Sequence, residues 1–196
     1  MMKRLQTYLV LGLAIFLAGC EGPCQKISSI SAPDLQSGTA DFTSYVAVGT
    51  SISAGYQSGG LVDRHQIKAF PAIFAQQVGK TVLQSGQGSF TFPSINQDGI
   101  PALLAIKSYS PLIVNNIGRT TGAPMNFGQN FAYNNLGVPG SLAFDFADTT
   151  SYYTTNAPIF RSNFIFFNTI VRGRGSILQQ TLSLSPTFIS YEYGWN

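Results

Sequence analysis

The chain has 196 residues, of which 44% are hydrophobic, 13% aromatic and only 10% charged. Globular chains average about 25% charge, and an aromatic-rich, charge-poor composition excludes intrinsic disorder over most of the length. The formal net charge is +3. Two of the cations, Lys3 and Arg4, stand in a leader-like start, and without them 9 Lys and Arg face 8 Asp and Glu. No basic patch for nucleic acid can be built from that balance.

Residues 1–19 read as a signal peptide: a basic start, then the uncharged run Tyr8–Leu17, too short to span a bilayer and suited to the apolar core of a secretory signal. Leu17-Ala18-Gly19-Cys20 resembles a bacterial lipobox. The resemblance implies cleavage before Cys20 and a lipid on its sulfur, hence a chain anchored to a membrane of the bacterial cell envelope. Residues 20–43, rich in Ser, Gly and Pro, read as the tether. Cys24, the other cysteine, reads as a bystander in it; there is no cysteine cluster for a metal.

The domain is expected from residue 44 onward. Ser44–Val48, ending at Gly49, reads as a buried strand, and 49–60 as a Gly/Ser-rich turn. Residues 69–78 read as a helix. Its expected buried face is Phe70, Ile73, Phe74 and Val78, with Pro71 in the first turn and Gly79 as the stop. A strand, a glycine-bearing turn and a helix make the opening unit of an α/β domain. Residues 85–130, with several prolines and glycines, read as a long irregular insertion with short strands. Then come a strand at 131–136, a Gly-Val-Pro-Gly turn, a helix start at 141–147, helices at 158–171 and 175–184, and a strand at 187–193.

Three short motifs follow strands. Gly49-Thr50-Ser51-Ile52 places Ser51 at the C-terminal edge of the first strand, where α/β sheets hold ligands. Asn135-Leu136-Gly137 ends the second confident strand, and the Gly137 amide can donate to an oxyanion. Gly194-Trp195-Asn196 ends the last strand, and the Asn196 side chain carries an N–H₂ donor. Taken singly, each also reads as a turn or a strand end.

Taken together and in this order, the motifs resemble the SGNH hydrolases, the GDSL esterase/lipase family, over about residues 44–196. The first block stands as Gly49-Thr50-Ser51-Ile52-Ser53-Ala54-Gly55, with Thr50 where the family has aspartate and Ile52 where it has leucine. The resemblance implies a three-layer α/β/α sandwich around a mostly parallel, flavodoxin-like sheet of about five strands, incomplete at its C-terminus. It implies hydrolysis of carboxylic esters without a cofactor or metal, with an apolar acyl substrate as partner. Ser51 would be the nucleophile. The Ser51 and Gly137 amides and the Asn196 side chain would form the oxyanion hole. The family's base comes from a late Asp-x-x-His block, which these 196 residues do not contain. The sequence therefore reads as the amino-terminal part of a hydrolase, inactive alone. His65, the one histidine, reads as a solvated helix-entry residue, and Asp145 and Asp148 as ordinary helix or surface residues. Two other readings stand beside the enzyme: an envelope lipoprotein that binds a ligand at the same sheet edge without catalysis, and a structural lipoprotein or decayed gene product.

Overall fold

A computed structural model describes residues 38–96, 98–117, 122–148 and 164–194. The chain divides into Met1–Thr39 and Ala40–Asn196, and every element below belongs to the second unit. The expected signal segment, Cys20 and Cys24 lie outside the described residues.

Strand β1 is Tyr45–Gly49, buried along its whole length. A strand covered on both faces needs a near-continuous apolar run, and Tyr-Val-Ala-Val supplies one. β2 (Leu104–Tyr109) and β3 (Leu112–Asn116) form a separate antiparallel hairpin. β4 (Asn135–Gly137) and β5 (Phe188–Glu192) flank β1, both parallel to it, giving the order β4-β1-β5. Gly49 lies opposite Gly137 on one side and Glu192 on the other. The described fold is thus mixed α/β, with a three-stranded parallel sheet and a detached hairpin.

Successive β1 side chains alternate between faces, and each face has its own core. Val46 and Val48 pack with Leu136 and with Phe166, Phe167, Ile170, Val171 and Ile177. The latter come from helices α4 (Phe164–Ile170) and α5 (Ile177–Ser183) and the link between them. Tyr45 and Ala47 pack with Ala72, Ala75 and Phe90, bordered by Phe74 and Phe188. Tyr45 stacks on Phe90 at 5.2 Å and meets Phe74 edge-on at 5.0 Å. Three further helices lie between β1 and the hairpin: α1 (Ser51–Ala54), α2 (Asp63–Gln66) and α3 (Phe70–Gln77).

Helix α3 corrects the expected face. It buries Pro71, Ala72 and Ala75 and leaves Phe70 and Ile73 exposed. The small side chains let the helix backbone approach the aromatic layer of Tyr45 and Phe90, and the larger ones are displaced to the rim. Gly79, at φ +81°, does end the helix. At α5 the stop and start chemistry is explicit. The Ser176 hydroxyl accepts from the Gln179 N–H at 3.0 Å, and the Gln179 side chain accepts from the Ser176 N–H at 2.9 Å. Such a cap contributes about 1 kcal/mol.

The expected strand at 131–136 shrinks to Asn135–Gly137, because side chains serve the preceding stretch in place of a ladder. The Asn134 side chain accepts from the Thr91 N–H and hydroxyl and donates to the Tyr45 carbonyl. The Tyr133 hydroxyl donates to Asn126. The insertion before it is pinned in the same way. Buried Asn126 donates to the Phe92 carbonyl and accepts from the Ser94 N–H, and Gln66 donates to the Pro93 carbonyl. Arg172 lies 3.9 Å over the Tyr133 ring and donates to the carbonyls of Phe127, Gln129 and Phe131. The helix expected from 141 is a single 3-10 turn, Ala143–Phe146. The helix expected at 158–171 is observed from Phe164, residues 158–163 lying outside the description.

Candidate functional site

The candidate site is the C-terminal edge of the parallel sheet. β1 ends at Gly49, Thr50 bends the chain, and Ser51 opens α1. Ser51 is half-buried, and its hydroxyl makes no hydrogen bond among the described residues. Ser51 and Gly137 are thereby brought to one edge, each within two residues of the paired glycines of β1 and β4. Asn196, the third expected donor, lies outside the described residues.

A four-residue helix cannot hold itself together, and here neighbouring side chains grip both ends. At the N-terminal end sits the Glu192 carboxylate, from the last residue of β5. It accepts from the Thr50 N–H at 2.9 Å, the Thr50 hydroxyl at 2.9 and 3.0 Å, the Ser53 hydroxyl at 3.1 Å and the Ser53 N–H at 3.4 Å. Its negative charge also matches the positive end of the helix. At the other end the Asn135 side chain donates to the Ser53 carbonyl at 2.8 Å, and its oxygen accepts from the Gly137 N–H at 3.0 Å.

The two glycines are required by space. A Cβ at Gly49 would lie 2.3 Å from the Ser53 hydroxyl and 2.8 Å from the Glu192 carboxylate. A Cβ at Gly137 would lie 2.6 Å from the Ala54 nitrogen. Helix α1 therefore rests directly on the backbone of both strands. Below it, Ser141 donates to the Gly49 carbonyl. Burial pushes the nearby Tyr193 hydroxyl up to about 12, with the Ser141 side chain working partly against that rise.

Of the two backbone amides expected to meet an oxyanion, Ser51 and Gly137, the Gly137 N–H is taken by the Asn135 side chain. The N–H groups on either side of that of Ser51 in the turn, of Thr50 and Ser53, are taken by Glu192. Glu192 was not among the expected site residues. One signal in the sequence could have found it: Glu192 is the sole acid after Asp148 in the 196 residues. Asp145, expected as an ordinary helix or surface residue, stands in the 3-10 turn Ala143–Phe146. It is fully buried, and its carboxylate accepts from the Leu142 N–H at 2.8 Å, closing the 3-10 turn. His65 sits in α2 and has no hydrogen bond to Ser51 among those described. Burial, then the Arg64 and Lys68 charges, hold its imidazole below the ordinary range, against the pull of Asp63.

A separate apolar cavity of about 420 Å³ is lined by Pro124, Phe127, Phe164, Ile165, Asn168 and Thr169. Neither Ser51 nor Gly137 borders it. Among the described residues there is no group of three potential metal ligands and no helix long and apolar enough to cross a membrane. No protein-family model, no curated protein and no solved structure matches this chain.

Proposed function

We propose that the chain is a lipid-anchored envelope serine hydrolase of the SGNH type, acting on carboxylic esters through Ser51. The observation that carries this reading is the in-register pairing of Gly49 with Gly137. It sets the Gly-Thr-Ser turn and the Asn-Leu-Gly strand side by side at one sheet edge, with Ser51 at the start of a helix. The order β4-β1-β5, with the first strand central and the later ones on either side, supports a flavodoxin-like plan. In this reading the Ser51 oxygen attacks the ester carbonyl, and the oxyanion is met by the Ser51 and Gly137 amides and the Asn196 side chain. The Gly137 amide exchanges its bond to Asn135 for one to substrate. The Glu192 carboxylate takes the place that Thr50 leaves vacant, holding the turn that presents Ser51.

Ser51 needs a base, and the 196 residues contain no Asp-x-x-His block. The test therefore supplies one. In the presence of imidazole and a p-nitrophenyl ester, the Ser51 oxygen forms the acyl bond, p-nitrophenolate leaves and imidazole takes the serine proton. The expected result is imidazole-dependent acylation of one residue, located at Ser51 by mass spectrometry and absent in S51A. Acylation that persists in S51A, or that fails at every imidazole concentration, overturns the catalytic reading.

One observation favours a second reading, a ligand-binding lipoprotein using the same edge: the amides of Thr50, Ser53 and Gly137 are already engaged by side chains. Failure of acylation in a folded protein supports it.

A further inference from the structure

The β2–β3 hairpin is an apolar ribbon with no element packed over it among the described residues. Both strands are largely exposed, and exposure reaches 84% at Tyr109 and 66% at Leu112 beside the turn. The register separates its faces. Leu104 lies opposite Asn116, Ile106 opposite Val114 and Tyr109 opposite Leu112, with an irregularity between Ile106 and Ser108. Cross-strand partners share a face, and strand residues two apart share one too. Leu104, Ile106, Tyr109, Leu112 and Val114 therefore form one side, broken only by Asn116 at its end. The other side carries Ala105, Ser108, Ile113 and Asn115. A contiguous apolar face of this kind marks a contact surface.

We propose that this face lies in the surface of an anionic lipid membrane, with Tyr109 and Leu112 entering first. Charge selects the occupant. From residue 99 to residue 144 the sequence has no Asp or Glu, and its charges are Lys107 and Arg119. Lys107 stands within the hairpin itself, at its register irregularity. A hairpin with no acid in either strand and a lysine within it suits anionic headgroups, and a tyrosine flanked by leucine and isoleucine suits the boundary between headgroup and acyl chain. Distance agrees with this. The segment from Cys20 to Gly38 spans at most about 60 Å fully extended, so a lipid on Cys20 would keep the hairpin within reach of the bilayer. The proposal rests on the lipobox reading for that proximity alone, and it is independent of the hydrolytic one.

The test places a reporter on each face of the full chain. W195F removes the sole native tryptophan, and each reporter is read both with Cys20 intact and in C20S, which removes the thiol that would carry lipid, so a failed anchor and a failed hairpin are told apart. L112W then reports the apolar face and N115W the opposite one. The vesicles contain phosphatidylethanolamine and phosphatidylglycerol with brominated acyl chains. The expected result is a blue shift and loss of emission for L112W, with much smaller changes for N115W. Red, unquenched emission from L112W leaves the hairpin in water and overturns the proposal. A blue shift without bromine quenching means that protein, a second copy or another segment, covers the face, and that also overturns it. Equal quenching at both positions refutes the face assignment.

Discussion

Helix α1 and the β2–β3 hairpin are both too small to be stable by themselves, and the molecule treats them in opposite ways. The four residues of α1 are gripped by Glu192 and Asn135 and seated on two glycine backbones. The hairpin closes its own ladder and leaves its apolar face uncovered. The difference separates two kinds of local order. In α1, position is imposed from elsewhere in the chain, so Ser51 is held to one geometry. In the hairpin, order is internal, and the unfilled demand is for something outside.

The sharpest way to break that contrast is at Gly49. G49A drives a methyl into the Ser53 hydroxyl and the Glu192 carboxylate. It should cost about 3 kcal/mol or more, read as a lowered midpoint in urea unfolding. E192Q keeps the size of the side chain and removes its charge. With all four donors losing an ionised acceptor, a loss of about 2 kcal/mol is expected, together with slower acylation of Ser51. R172A tests the attachment of the insertion. It removes three carbonyl contacts and the stacking on Tyr133, for an expected loss of about 1.5–2 kcal/mol in the same unfolding assay. Least affected should be Y109S combined with L112S, within about 0.5 kcal/mol, because these side chains pack on little within the protein. A large loss of stability in that last variant would mean that the hairpin is part of the core, and the contrast would fail.

The same contrast explains what could be read from the sequence. The strand at 45–49, the helices at 70–77 and 177–183 and the final strand announce themselves by local pattern: β-branched runs, caps and terminal glycines. The serine turn and the Asn-Leu-Gly strand were legible as motifs, and their adjacency follows from parallel pairing. Local pattern could not show that Ala72 and Ala75, rather than Phe70 and Ile73, face the sheet, because that depends on the bulk of Tyr45 and Phe90 opposite. Nor could it reveal the clamp on α1, whose partners Thr50 and Glu192 are 142 positions apart. The irregular stretch at 85–130 was legible as irregular. The side chains that fix it, Asn126, Asn134 and Arg172, are polar residues without a periodic signature.

The separation of Thr50 from Glu192 also bears on how the protein is born. A ribosome makes the serine turn early and its clamping carboxylate near the end of the described chain. Until β5 emerges and docks beside β1, the amides of Thr50 and Ser53 have only solvent or strangers as partners. The geometry around Ser51 is thus completed only after the 142 positions up to Glu192 have been made, and until then the nascent chain carries the hydroxyl without the scaffold that aims it.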